Sequence, residues 1–179
     1  MLYLERTWTR SDMRRCIQAL LWVSVMLVRS AMGDSPLPAP TMTEVASPNG
    51  RFAAISDPKS TTTRVIEVAT GRVLWKVPDW FRSMFVSNDG KHLAVGYDGL
   101  NLVPLSYVDS MELISFWDQG RKIKSVTLSE IVPDRTVLER TMSHYAWGDI
   151  EGVNDKDQLV VRRVDGQIFR FSMATGELE

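Results

Sequence analysis

Cysteine is nearly missing from this sequence: the single one, Cys16, lies ahead of the apolar run at residues 17 to 28, where it cannot serve as the lipid-bearing residue of a lipobox. From residue 34 onward there is no thiol, so disulfides, thiolate metal sites and cysteine catalysis are excluded and core burial must supply stability. Histidine is almost as scarce, with His92 and His144 alone, and HExxH is absent. A three-ligand zinc site would have to recruit a distant carboxylate, so no metal is expected. Also missing are a Gly-rich phosphate loop, a GxSxG elbow, closely paired catalytic carboxylates and the DxDxDG run of an EF-hand loop, and no cofactor is expected. Basic excess is missing too. Residues 34 to 179 hold 16 Lys and Arg against 20 Asp and Glu, which offers no broad positive surface for phosphates and sets nucleic acid aside.

No apolar run reaches the roughly 20 residues of a membrane-spanning helix. The longest, IQALLWVSVMLV (17 to 28), is broken by Gln18 and closed by Arg29. Arg14 and Arg15 precede it and the small residues of SAMGD follow, with Ala31 and Gly33 at signal-peptidase spacing, so residues 1 to 33 read as a signal peptide, with an uncleaved anchor as the alternative. A start at Met13 would give the compact basic region MRRCIQ in place of the acid-containing prefix LYLERTWTRSD. The expected location is periplasmic or secreted, with no stable membrane span after cleavage. Residues 34 to 42 then form a tether, because DSPLPAP carries three prolines in seven residues and favours an extended, unpaired chain.

What is present from residue 43 is alternation. Short apolar runs with period two are separated by Gly, Asn and Asp turns, which predicts an all-β domain over 43 to 179. The turns repeat. SPNGRFAAI (47 to 55) aligns with SNDGKHLAV (87 to 95), and NDKDQLVV (154 to 161) is a weaker third copy. Each precedes a second unit: VIEVATGRVLW (65 to 75), LISFWDQGRKIKSV (113 to 126) and IFRFSMATGELE (168 to 179). The reading is about three four-stranded antiparallel meanders, with Asn-Gly or Asp-Gly supplying the positive φ of a tight hairpin. The last copy reaches only ATGELE, so its outer strand is expected to be short or missing.

SPNGRFAAI and ATGRVLW resemble the blades of WD-repeat-like β-propellers, and the likeness covers most of residues 43 to 179. The Trp-Asp pair that names the strict repeat occurs only as Trp117 and Asp118, and its histidine feature is not in place. The chain also resembles a group of uncharacterised exported bacterial proteins that share YDGLNL and SHYxWG segments, which implies no activity. Closed propellers use four to eight blades. Three blades imply an open partial propeller, with a homodimer completing six blades as the alternative.

Two segments interrupt the repeat. GLNLVPLSYVDSM (99 to 111) enters the second unit, and TLSEIVPDRTVLERTM (127 to 142) separates the second from the third. Thr127 and Glu130 have capping-box spacing, predicting a short helix that Pro133 stops.

The most chemical stretch, SHYAWGD (143 to 149), gathers His144, Tyr145, Trp147 and Asp149. His144 and either Asp149 or Asp98 are the candidate acid and base of a catalytic reading, and Tyr145 and Trp147 are candidate ligand contacts. The competing reading is core aromatics with a hydrogen-bonded histidine, since no nucleophile motif surrounds His144. His92 falls opposite Leu93 and Val95 and is expected on the solvated face. In PDWF (78 to 81), Trp80 is expected beside Asp98 and Asn101 as an aromatic and carboxylate rim suited to a peptide or glycan, against the alternative of a plug between blades. By fold analogy the expectation is an exported, noncatalytic binding or scaffold module whose partner is another envelope protein or peptide. The rival is a hydrolase or lyase acting on an envelope polymer.

Overall fold

The structure is a computed structural model that describes residues 36 to 179. The signal segment 1 to 33, Cys16 and the alternative start at Met13 lie outside the described residues. The chain divides after Gly33, and the description below concerns the unit Asp34–Glu179. Among the described residues no helix is long and apolar enough to cross a membrane.

That unit is all-β, in four antiparallel sheets. The first runs in chain order through β1 (Thr43–Ala46), β2 (Phe52–Asp57), β3 (Thr62–Glu67) and β4 (Arg72–Val77). The second contains β5 (Met84–Val86), β6 (His92–Gly96), β8 (Glu112–Asp118) and β9 (Arg121–Thr127), passing over β7 (Leu102–Pro104). The third has β12 (Gly148–Val153), β13 (Gln158–Arg163) and β14 (Ile168–Ser172), extended by one isolated bridge between Phe171 and Leu178. These three sheets match the three repeats read from the turns.

The fourth sheet was not anticipated. It joins the two interrupting segments through the SHYAWGD stretch, pairing β7 with β11 (His144–Ala146) and β11 with β10 (Glu139–Arg140). His144 faces Pro104, Tyr145 faces Val103 and Ala146 faces Leu102. Among the described residues, helical structure consists of a 3-10 turn at Arg135–Val137 and α1 (Leu128–Ile131), whose Glu130 carboxylate accepts the Thr127 backbone N–H at 2.6 Å, as the capping spacing predicts.

Why the repeated turns form is visible atom by atom. Ser47 Oγ accepts the Phe52 N–H at 3.1 Å while Asn49 Oδ1 accepts the Arg51 N–H at 3.0 Å, closing the loop that Gly50 completes at φ +68°. The second copy repeats this with Ser87 and His92 at 3.1 Å, Asp89 and Lys91 at 2.9 Å, and Gly90 at φ +70°. In the third copy Asn154 Oδ1 accepts from both Lys156 and Gln158, and Asp157 takes the glycine position at φ +54°, a left-handed conformation that Asp tolerates better than most side chains. The turns are also tied to one another. Asn49 N–H donates to Asn88 Oδ1 and Asn88 N–H donates to Asp157 Oδ1, both at 2.8 Å, so one chain of hydrogen bonds runs across all three sheets.

Two apolar clusters hold the sheets face to face. Phe52, Val65, Met84 and Leu93 fill the seam between the first and second sheets. Phe116, Leu113, Leu159, Phe171 and Trp147 fill the larger one, which joins the second and third sheets to the inserted one. Each large side chain so buried contributes about 1.5–3 kcal/mol relative to exposure. Strand β5 approaches both β1 and β12, so the first strands of the three sheets come together.

His92 departs from expectation. Its side chain is 15% exposed, with Nδ1 3.3 Å from Asp89 Oδ1 and Nε2 3.7 Å from Asp118 Oδ1. Alternation placed it correctly away from Leu93, but the turn carboxylates on that face cover it.

Candidate binding site

The link PDWFRS (78 to 83) between the first two sheets is pinned by side chains of the first sheet. Buried Ser56 and Thr63 share a 2.8 Å hydroxyl hydrogen bond; Ser56 Oγ also accepts the Phe81 N–H at 2.8 Å, and Thr63 Oγ1 donates to the Asp79 carbonyl at 2.9 Å. With the backbone fixed there, Phe81 packs against Trp117, ring centroids 5.7 Å apart, in the seam between the sheets. The plug between sheets is therefore Phe81, and its neighbour Trp80 has other partners.

Trp80 is half-buried, and its indole Nε1 donates to the Thr41 carbonyl at 3.0 Å. The Arg82 guanidinium carbon lies 5.1 Å from the Trp80 ring centroid. Arg82 Nε donates to Asp98 Oδ1 at 3.0 Å and Nη1 donates to the Pro38 carbonyl at 3.0 Å. Its side chain is only 14% exposed while that of Asp98 is 66% exposed, so the carboxylate stands at the rim and the guanidinium beneath it. Asp98 fixes one edge of the guanidinium and leaves another to donate, and the ring face adds about 0.5–1 kcal/mol of cation–π attraction.

Trp80 and Asp98 thus belong to one cluster through Arg82, a residue that sequence reasoning overlooked. The signal available in the sequence was its place two residues after Trp80 in the short link PDWFRS. Asn101 has an exposed side chain and contributes its carbonyl to the Trp147 N–H at 3.1 Å.

Beside this cluster runs a cleft of about 370 Å³, lined among others by Asp79, Phe81, Tyr97, Asp98, Glu112 and Trp117. Its carboxylates are engaged: Asp98 with Arg82, and Glu112 with Lys122 Nζ at 2.7 Å. Asp79 Oδ1 accepts the Trp80 N–H at 2.8 Å, and Trp117 Nε1 donates to Ser115 Oγ at 3.0 Å. The result is an aromatic floor under a largely charge-compensated polar rim, which suits contact with a polar chain better than proton transfer.

The SHYAWGD residues do not form one group. His144 lies on β11, with Nδ1 2.9 Å from Ser143 Oγ, whereas Asp149 lies on β12 opposite Arg162 and accepts the Ile150 N–H at 2.9 Å. They occupy different sheets. Tyr145 meets Tyr107 edge to face at 5.7 Å. Trp147, at 1% exposure, donates its indole N–H to the Leu100 carbonyl at 2.9 Å and packs in the larger core.

Among the described residues, the carboxyls held below their ordinary range are Asp57, Asp89, Asp134 and Asp165, and each sits in or beside a turn. For Asp89 burial pushes upward, but donors from Ser87, Lys91 and His92 outweigh it. Donors from Lys59 and Ser60 lower Asp57, and Thr136 lowers Asp134. Among the described residues no group of three or more His, Cys, Asp or Glu is placed to hold a metal ion.

No family model matches the chain, and no curated protein matches it. Among solved structures it is similar to the hydrazine synthase of Kuenenia stuttgartiensis, with 16% identity and a TM-score of 0.36 over 75% of this chain and 34% of that one. A eukaryotic initiation factor gives 14% identity and a TM-score of 0.37 over 78% of this chain and 35% of that one. The chain spans about a third of the length of these structures, and at such scores neither likeness carries an argument about it.

Proposed function

We propose that this protein is an exported, noncatalytic binding module of the cell envelope, built as an open partial propeller of three blades, whose docking rim is Trp80, Arg82 and Asp98. The export reading rests on Arg14 and Arg15, the apolar run after them and the small residues at Ala31 and Gly33. The blade reading is supported by three sheets whose first strands converge and whose equivalent turns are hydrogen-bonded in series. The observation that carries the binding reading is the Arg82 guanidinium, lying over the Trp80 ring, held by Asp98 and donating to a main-chain carbonyl of the proline-rich segment. Donors fixed in advance recognise extended chain at low entropic cost.

The test is cell fractionation together with site-specific photo-crosslinking in cells that express the full chain. A photo-reactive residue in place of Asn101, the exposed residue three positions after Asp98, should give crosslinks to envelope proteins several-fold above one in place of Gly166 in the third sheet's hairpin turn. A chain that stays in the cytosol with its leader intact, or equal crosslinking from both positions, overturns the proposal.

A further inference from the structure

Resting on that reading of the rim, we propose that Trp80, Arg82 and Asp98 form a receptor for extended proline-rich peptides, and that residues 36 to 41 of this chain are its occupant in cis. Three observations converge. First, the two groups facing the segment, the Trp80 indole N–H and the Arg82 guanidinium, are donors without acceptor capacity. The segment PLPAPT is their complement, because Pro36, Pro38 and Pro40 lack an N–H and leave carbonyls as its main-chain polar groups at alternate positions.

Second, the two carbonyls engaged belong to Pro38 and Thr41, three residues apart. A proline-rich chain favours the polyproline II helix, with three residues per turn and about 3.1 Å of rise per residue, so carbonyls at this spacing face the same side. A helix of that kind makes no internal hydrogen bonds, and its acceptors are open to a receptor.

Third, the occupant's one large aliphatic side chain is not sunk in a pocket: Leu37 is 43% exposed. Recognition therefore reads backbone shape and acceptors, with an aromatic ring and a stacked cation as the platform, and another proline-rich segment satisfies the same contacts. Attachment through the same chain gives the cis segment an effective concentration in the millimolar range, so a free peptide competes poorly until the cis copy is weakened.

The experiment measures fluorescence anisotropy of a labelled peptide DSPLPAPT with the full chain and with full-chain variants matched for thermal midpoint. Replacing Pro36, Pro38 and Pro40 together by Gly loosens the cis copy. It should tighten binding of the free peptide at least ten-fold over the unaltered chain. Adding Trp80→Phe or Arg82→Gln in that background should weaken binding at least ten-fold. If the triple variant does not fold, Pro38→Gly alone serves, with a smaller gain in the same direction. Equal binding by the variant and the unaltered chain, no binding by either, no effect of Trp80→Phe, or equal binding of a proline-free peptide DSALAAAT overturns the proposal. The two readings fail separately. Persistent crosslinks at the rim without peptide binding defeat the proline-rich class alone, and peptide binding without crosslinks in cells defeats the envelope-partner reading alone.

Discussion

Asn49 donates twice to Asn88: its backbone N–H reaches Asn88 Oδ1 at 2.8 Å and its side-chain Nδ2 reaches the Asn88 carbonyl at 2.8 Å. The repeated turns of the first and second sheets are joined by this pair. Asn88→Ala removes the Oδ1 acceptor and keeps the carbonyl, so the expected loss is that of one hydrogen bond, about 0.5–1.5 kcal/mol. Urea denaturation checks it, with a lower midpoint and an unchanged slope.

Asp157 holds the other end of that chain and carries two duties, accepting the Asn88 N–H and adopting φ +54°. Asp157→Asn keeps an oxygen acceptor and a side chain that tolerates the left-handed region, and is expected to cost less than about 0.5 kcal/mol. Asp157→Ala loses the acceptor and adds about 1–2 kcal/mol of backbone strain. Thermal denaturation of the two variants side by side should therefore separate them by several degrees.

The same turns show how far the sequence could be read. SPNG and SNDG announced themselves because their hydrogen bonds are local, from Ser47 to Phe52 and from Ser87 to His92, and local chemistry leaves a spacing in the sequence. The third copy was weak because Asp157 replaces the glycine, although the backbone does the same thing there. The sheet that pairs His144 with Pro104 left no such trace, since register between distant segments is set by packing. At the rim, Trp80 and Asp98 were legible as residue types, whereas Arg82, which connects them, was visible only once the chain was folded. Of the two readings of Trp147, ligand contact and core, its 1% exposure fits the core, and it sits in the break between β11 and β12.

Gly50 and Gly90 occupy equivalent turn positions at φ +68° and +70° but differ in surroundings. A Cβ at Gly50 meets open space, whereas a Cβ at Gly90 lies 2.5 Å from the Phe52 ring. Gly50→Ala is expected to cost about 1–2 kcal/mol from the backbone alone. Gly90→Ala should cost at least about 1 kcal/mol more, because Phe52 must leave its place in the core. Denaturant midpoints for the two variants decide it, and equal values would show that Phe52 yields freely.

Asp165 accepts from Arg163 at 2.7 and 2.9 Å, and that hydrogen bonding lowers its carboxyl from the ordinary range to about 2. Arg163 also donates to the Ile131 carbonyl at 2.9 Å and lies over Phe169, tying α1 to the third sheet. A depressed carboxyl adds stability that is fully present above its unfolded value near 3.9 and lost as pH falls toward the folded value. The unaltered chain should be more stable than Asp165→Asn above about pH 4, and the difference should shrink as pH falls to about 2. Denaturation midpoints of both proteins across that window test the sign.

Trp147 and His144, three residues apart, separate the structural from the catalytic meaning of SHYAWGD. Trp147 is 1% exposed and its indole donates to the Leu100 carbonyl, so Trp147→Phe leaves both a void and an acceptor short of its donor. The expected cost is about 2–4 kcal/mol. His144 is half-buried at the β11 pairing with Pro104, and glutamine is polar and of similar length, so His144→Gln is expected to change stability by less than about 0.5 kcal/mol. Under the binding reading the same substitution leaves peptide binding at Trp80 and Arg82 unaltered. A His144→Gln protein that keeps its thermal midpoint and its peptide affinity yet loses turnover of an envelope polymer would transfer the function from the rim to β11.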